Sequence, residues 1–145
     1  MTEVEEGISG LYFHGQQHEP EWVEADKKLS SLWADQVRRW LDAYFAKRAL
    51  PLPPPLHIVE GTEWQRQVWQ VLMRIPPGST CSYAEIAHAL GRPKAARTVG
   101  AAVGKNPLSL LIPCHRVIGS SGALTGYAGG LDRKRWLLDH EAVLS

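Results

Sequence analysis

The residues in this chain best suited to chemistry stand together at Cys114-His115-Arg116. A cysteine thiolate is a nucleophile, and the basic side chains that follow it directly would favour that ionised form. An apolar run, Leu110-Leu111-Ile112, carries the chain inward to them, and Pro113 stands between the run and the cysteine. Proline fixes φ and removes a backbone donor, so the run cannot simply continue as a ladder strand. Taken alone, the stretch has a second reading: a small, buried structural cysteine with a satisfied histidine beside it. The rest of the chain decides between them.

Composition narrows the field. The chain has 145 residues, 44% hydrophobic and 21% charged, which suits one domain, or a small domain with an appendage, with ample material for a core. A formal net charge of +1 means that any nucleic-acid contact must come from a local cluster of charge. The two cysteines, Cys81 and Cys114, make neither a disulfide framework nor a four-ligand zinc site. They suggest a reducing, cytoplasmic compartment. The acidic start, Met1 to Gly7, has no apolar signal core, and no apolar run reaches membrane-spanning length, so no membrane partner is expected.

The elements that must position Cys114 are legible in order. Ile8 to Phe13 reads as a short strand, with a bulge at Gly10. Leu29, Leu32, Trp33, Val37, Trp40, Leu41 and Tyr44 recur at three- and four-residue spacing, a helix face on which both tryptophans are core. Pro51, Pro53, Pro54 and Pro55 forbid helix and mark an extended connector between an N-terminal part, residues 1–56, and a main domain, residues 57–145. Thr62-Glu63-Trp64-Gln65 is a capping box opening a helix through Trp64, Val68, Leu72 and Ile75, which Pro76-Pro77-Gly78 ends. Ser82-Tyr83-Ala84-Glu85 is a second box, and Gly91 closes its helix. A turn through Arg92 and Pro93 leads into Lys94 to Val103, giving helix, turn, helix.

That last helix is slim: Ala95, Ala96, Gly100, Ala101 and Ala102 lie along it. Small residues can simply permit close packing inside the protein. They also suit a helix entering the narrow minor groove, with Lys94, Arg97 and Lys105 meeting phosphates or the duplex interior. Beyond Cys114, Gly119 to Gly122 is a turn and Gly126 to Gly130 a flexible loop. Leu131 to Glu141 follows as a helix, where Arg133, Lys134 and Arg135 read equally well as a solvated face.

Together these residues resemble the O6-alkylguanine-DNA alkyltransferases, also called methylated-DNA–protein-cysteine methyltransferases. Pro113-Cys114-His115-Arg116-Val117 matches the family's active-site motif. The match runs from Gly61 to Glu141 through Ser82-Tyr83, Ala95-Ala96-Arg97, Val99-Gly100, Asn106-Pro107, Gly126-Tyr127 and Leu137-Leu138-Asp139-His140-Glu141. The resemblance implies an α/β (α+β) fold: a mainly helical C-terminal domain with a helix-turn-helix and a short active-site strand or loop, preceded by a reduced, mixed N-terminal part. It implies a suicide enzyme, a methylated-DNA–protein-cysteine S-methyltransferase that flips the lesion out of the duplex and takes the alkyl group once. O4-alkylthymine is a candidate second substrate.

Residue by residue, Cys114 matches the acceptor, His115 its base acting through a water, and Glu141 the acid that orients the histidine. Tyr83 matches the tyrosine whose hydroxyl meets the guanine, and Asn106 the asparagine joining the recognition helix to the site. Arg97 matches the arginine that fills the vacated stack, with Ala96, Lys94, Lys105 and Tyr83 also at the DNA. Val103, Val117, Tyr127, Ala128 and Gly129 would line the alkylguanine pocket. The implied partner is double-stranded DNA containing O6-alkylguanine, bound through the minor groove by a monomer, with no cofactor and no metal. The alternative is a non-catalytic binder of the alkyltransferase-like type, but such proteins carry tryptophan at the cysteine position. One departure stands out: the family's first strand, with Ser-Pro-Leu-Gly, is missing, as are cysteines matching the zinc site of some members. The strand at Ile8 then has no evident hairpin partner, which makes the N-terminal part the expected weak point. The prolines would let it open without dragging the site.

Overall fold

The computed structural model describes residues 1–4, 7–13, 15–16 and 32–142. It is a mainly helical α+β fold. In chain order the described elements are β1 (Thr2–Val4), β2 (Gly7–Gly10), α1 (Leu32–Phe45), α2 (Glu63–Leu72), β3 (Cys81–Ser82), α3 (Tyr83–Ala89), α4 (Ala96–Gly104), a 3-10 turn at Cys114–Arg116, β4 (Val117–Ile118) and α5 (Leu131–Ala142). β1 and β2 pair antiparallel; β3 and β4 pair in parallel, Cys81 opposite Val117 and Ser82 opposite Ile118. That second pairing sets the start of α3 beside the end of the cysteine segment.

Both predicted capping boxes are present. Thr62 Oγ1 accepts from the Gln65 amide at 3.2 Å while Gln65 Oε1 accepts from the Thr62 amide at 2.9 Å. Ser82 Oγ accepts from the Glu85 amide at 3.0 Å and Glu85 Oε2 accepts from the Ser82 amide at 2.8 Å. Each cap satisfies amides that a helix start leaves unpaired, worth about 1 kcal/mol. Past α3, Gly91 takes the left-handed φ of 72° that a helix exit needs. The helices enclose a core of Val68, Trp69, Leu72, Ile86, Val99, Val103, Ile112 and Val117, with Cys114 in the same cluster. α4 packs closely on α3: a Cβ on Gly100 would stand 3.7 Å from the Tyr83 ring. The Trp69 indole donates to the Ala102 carbonyl at 2.9 Å. Small residues on α4 therefore do permit close packing, but only on its inner face; Arg97 and Ala101 are exposed.

The N-terminal part differs from expectation. Ile8 does have a hairpin partner, the three-residue β1, too short and too acidic to show an alternating pattern. The register irregularity sits between Thr2 and Glu3, opposite Ser9 and next to the predicted bulge at Gly10. Ile8 is fully buried, its amide donates to the Pro55 carbonyl at 3.0 Å, and its carbonyl accepts from the His57 amide at 2.8 Å. The proline connector is extended and forms the other side of this pairing, through the Ile8–Leu56 bridge. In α1, Val37, Trp40 and Tyr44 are buried along the predicted stripe, and Trp40 stacks on Tyr44 at 5.3 Å. The expected helix start at Leu29 lies outside the described residues.

Candidate active site

Cys114 is presented by a turn rather than a strand. Pro113, at φ −79° and ψ 64°, takes the inverse γ-turn conformation, which the Cys114 amide closes onto the Ile112 carbonyl at 2.8 Å. Proline serves here because its fixed φ matches the turn. Upstream, Asn106 staples the segment: its Nδ2 donates to the Ile112 carbonyl at 2.8 Å and its Oδ1 accepts from the Leu108 amide at 2.9 Å. Leu110 sits at φ 71°, a conformation costing a leucine about 1 kcal/mol or more. Its side chain, buried with Trp40, Tyr44 and Leu137, offsets that strain.

Behind the cysteine, three side chains converge on Glu141, which is fully buried. Arg116 grips it in a fork, Nε to Oε2 at 2.8 Å and Nη2 to Oε1 at 2.8 Å, while Nη1 donates to the Ile75 carbonyl at 2.7 Å. His115 Nε2 lies 2.6 Å from Oε1, and the Tyr44 hydroxyl donates to Oε1 at 2.7 Å. Burial alone would raise the Glu141 pKa; hydrogen bonds and charge from Arg116 and His115 outweigh it and hold the carboxyl down at about 2. An ionised Glu141 can only accept, so His115 carries its proton on Nε2. Nδ1 is left as the basic atom, buried and without a hydrogen-bond partner among the described residues. Burial depresses the His115 pKa against the pull of Glu141, favouring the neutral ring.

The resting thiol differs from the sequence expectation. Burial raises the Cys114 pKa; a hydrogen bond from Asn106 and the charge of Lys134 oppose it. The side chains of the neighbouring His115 and Arg116 do not supply that charge, because both are turned onto Glu141. Lys134 does, and it is the residue that sequence reasoning placed wrongly. It is fully buried rather than solvated, its ammonium donating to the Thr125 carbonyl at 2.9 Å and the Gly126 carbonyl at 3.4 Å. Burial brings its pKa down to about 8. Its helical spacing from Leu137 and Glu141, at i+3 and i+7, is the signal that puts it on the inner face of α5.

The loop over the site is anchored at Thr125, whose carbonyl also accepts from the Tyr83 hydroxyl at 3.0 Å. Tyr127 packs on the core beside Cys114 and edge-on to Phe13 at 6.3 Å. Its hydroxyl is buried without a partner among the described residues. Gly129 is required sterically: a Cβ there would come within 2.8 Å of the Tyr127 ring and 2.9 Å of Phe13. Of the predicted pocket residues, Val103 and Val117 lie buried in one cluster with Cys114, Tyr83 and Tyr127, while Ala128 and Gly129 are half-buried in the loop. Lys94, Arg97 and Lys105 are exposed and Ala96 half-buried; Arg97, Ala101 and Lys105 recur every four residues along one side of α4 and its C-cap. Arg92 lies over the Trp64 ring, 5.3 Å from its centre. Among the described residues, no three His, Cys, Asp or Glu side chains gather to hold a metal, and no helix is long and apolar enough to cross a membrane.

The likenesses to known proteins agree with this geometry. The family model of the 6-O-methylguanine DNA methyltransferase DNA-binding domain matches residues 63–143. A methylated-DNA–protein-cysteine methyltransferase of Salmonella typhimurium is 61% identical over 84 residues, 58% of this chain and 49% of that protein. One from Mycobacterium bovis is 52% identical over 101 residues, 70% of this chain and 61% of that protein. The matched stretch thus spans about half to three fifths of these curated relatives. The crystal structure of Mycobacterium tuberculosis OGT in complex with DNA superimposes with a TM-score of 0.83 at 40% identity, covering 95% of this chain and 82% of that one. With more than half its length inside the family model and its fold shared with a DNA-bound relative, the chain belongs to the 6-O-methylguanine DNA methyltransferase family.

Proposed function

We propose that this protein repairs O6-alkylguanine in DNA by moving the alkyl group irreversibly to Cys114. The observation that carries the reading is the Glu141–His115 pair: the ionised carboxylate holds the ring proton on Nε2 and leaves a basic Nδ1 one residue from a buried cysteine. In the step proposed, His115 takes the Cys114 proton through a water. The sulfur attacks the alkyl carbon, and the carbon–O6 bond breaks. Tyr83 gives a proton to the leaving guanine, exchanging its hydrogen bond to Thr125 for one to the base. The proton gained by His115 restores the balance, and the product is a thioether with an intact guanine. Lys134 supports the developing thiolate, and Asn106 holds the turn that presents it.

The duplex would be met by the exposed side of α4, through its minor groove. Lys94 and Lys105 face phosphates, Ala96 and Ala101 allow close approach, and Arg97 enters the stack as the lesion leaves it. The flipped base would open the cluster of Val103, Val117, Tyr127, Ala128 and Gly129. With few cations involved, affinity for undamaged DNA would be modest and salt-sensitive. O4-alkylthymine is the candidate second substrate. The two free thiols suit a reducing cytoplasm, and the protein would act as a monomer without cofactor. A binder that transfers nothing is the less favoured reading, because it has no use for a cysteine backed by a base. Incubation of limiting protein with an excess of O6-methylguanine duplex tests the proposal: one lesion should vanish per protein molecule and no more. Continued turnover, or no loss of lesion, would contradict it.

A further inference from the structure

Glu141 Oε1 receives three donors: His115 Nε2, Arg116 Nη2 and the Tyr44 hydroxyl. Among the described residues, Oε2 receives only Arg116 Nε. The tyrosine therefore shares the one oxygen that holds the proton of the proposed base. It comes from α1, in the N-terminal part, 97 residues away in sequence. Its placement is tightly fixed: the ring is fully buried, stacked on Trp40 and edge-on to Phe45 at 5.2 Å. The Tyr44 carbonyl accepts from His140 Nε2 at 2.7 Å, so α1 grips α5 at two successive residues, His140 and Glu141. The connector prolines therefore do not leave α1 free to open away from the site.

We propose that Tyr44 is a positioning residue for alkyl transfer: its hydroxyl fixes the rotation of Glu141 and draws charge from Oε1, and so sets how strongly His115 holds a proton. This rests on the alkyl-transfer reading only for its kinetic consequence. A carboxylate oxygen with one donor fewer is more negative and stabilises the imidazolium more. The groups around His115 and Glu141 are Arg116 on the same turn, Lys134 and His140 on α5, Tyr127 on the loop, and Cys114. Arg116 already donates from all three of its nitrogens, to Glu141 and Ile75, while Lys134 and His140 donate to backbone carbonyls.

The test compares the full chain with Tyr44→Phe, which keeps the stacked ring, and with Val37→Ala, which loosens α1 without touching Glu141. NMR titration follows the His115 ring, and transfer from free O6-benzylguanine to Cys114 is followed across pH. Tyr44→Phe is expected to raise the His115 midpoint, to move the acid limb of the rate profile to higher pH, and to slow transfer about three- to tenfold near neutrality. Val37→Ala should lose thermal stability with both pH readouts unmoved. An unshifted His115 midpoint in Tyr44→Phe, or an equal shift in Val37→Ala, overturns the proposal. A wild-type protein that fails to alkylate Cys114 while Tyr44→Phe still shifts His115 would instead overturn the alkyl-transfer reading and leave the Tyr44 link standing.

Discussion

Replacing Arg116 by methionine should reverse the sign of Glu141's contribution to the stability response to acid. In the native chain Glu141 titrates at about 2 against an ordinary 4.5. At about 1.4 kcal/mol for each tenfold in proton affinity, that depression is worth at most about 3–4 kcal/mol of stability. The sign follows from the depressed value: the contribution is complete above the unfolded pKa and is lost as pH falls from about 5 towards 2. Methionine replaces only the apolar stem of the side chain and removes the fork on Oε1 and Oε2 together with the donor to the Ile75 carbonyl. Burial, which already acts to raise the Glu141 pKa, is then opposed only by His115 and Tyr44. Stripping one partner from a buried ion pair costs about 3–5 kcal/mol. That is a large part of the 5–15 kcal/mol typical of a domain, and about 10 °C in melting temperature at this size. The variant's carboxyl should titrate above 4.5, so its deficit is fully present at neutral pH and shrinks as pH falls through the raised value. Thermal and urea unfolding from pH 7.5 to pH 3 would show the two stability curves converging in acid. Curves that stay parallel, or a deficit below about 1 kcal/mol at neutral pH, would refute the buried fork as the holder of Glu141.

Lys134→Met should slow alkylation of Cys114 by both iodoacetamide and O6-benzylguanine, because the ammonium is a charge that lowers the thiol pKa. Since Lys134 itself titrates at about 8, the native advantage should fade as pH rises past that value; a constant ratio at all pH would argue against it. Arg97→Ala should cut repair of duplex O6-methylguanine at least tenfold while leaving reaction with free O6-benzylguanine within about twofold, since the side chain is exposed on α4 and touches none of the buried cluster. Equal losses on both substrates would remove it from lesion extrusion.

What was legible in the sequence is what is local. The capping boxes at Thr62 and Ser82, the α1 stripe, the paired helices ending at Gly91 and Asn106, and the turn forced by Pro113 are all set by neighbours within a few residues. What was hidden depends on distant partners. Lys134 reads as surface because it is charged and flanked by arginines; its burial is satisfied by loop carbonyls that no residue type advertises. Tyr44 reads as one more apolar position beside Trp40, and its hydroxyl finds its use only when α5 closes on α1. The same blindness reversed the electrostatics of Cys114: adjacency suggested that His115 and Arg116 favour the thiolate, whereas the fold turns both onto Glu141 and brings Lys134 in their place. β1 escaped notice because a three-residue strand carries no period of its own.

The central claim is that Cys114 receives the alkyl group. Peptide mapping by mass spectrometry, after reaction with an O6-methylguanine duplex, tests it most directly. The peptide holding Cys114 should gain the mass of one CH2, one per protein, and the Cys81 peptide none: burial raises both thiols, but Cys114 has the Glu141-backed His115 beside it and the charge of Lys134, whereas Glu85 pushes the Cys81 thiol further up, to about 11. Cys114→Ser should abolish the gain. Methyl found on Cys81, or transfer surviving in Cys114→Ser, would contradict the account.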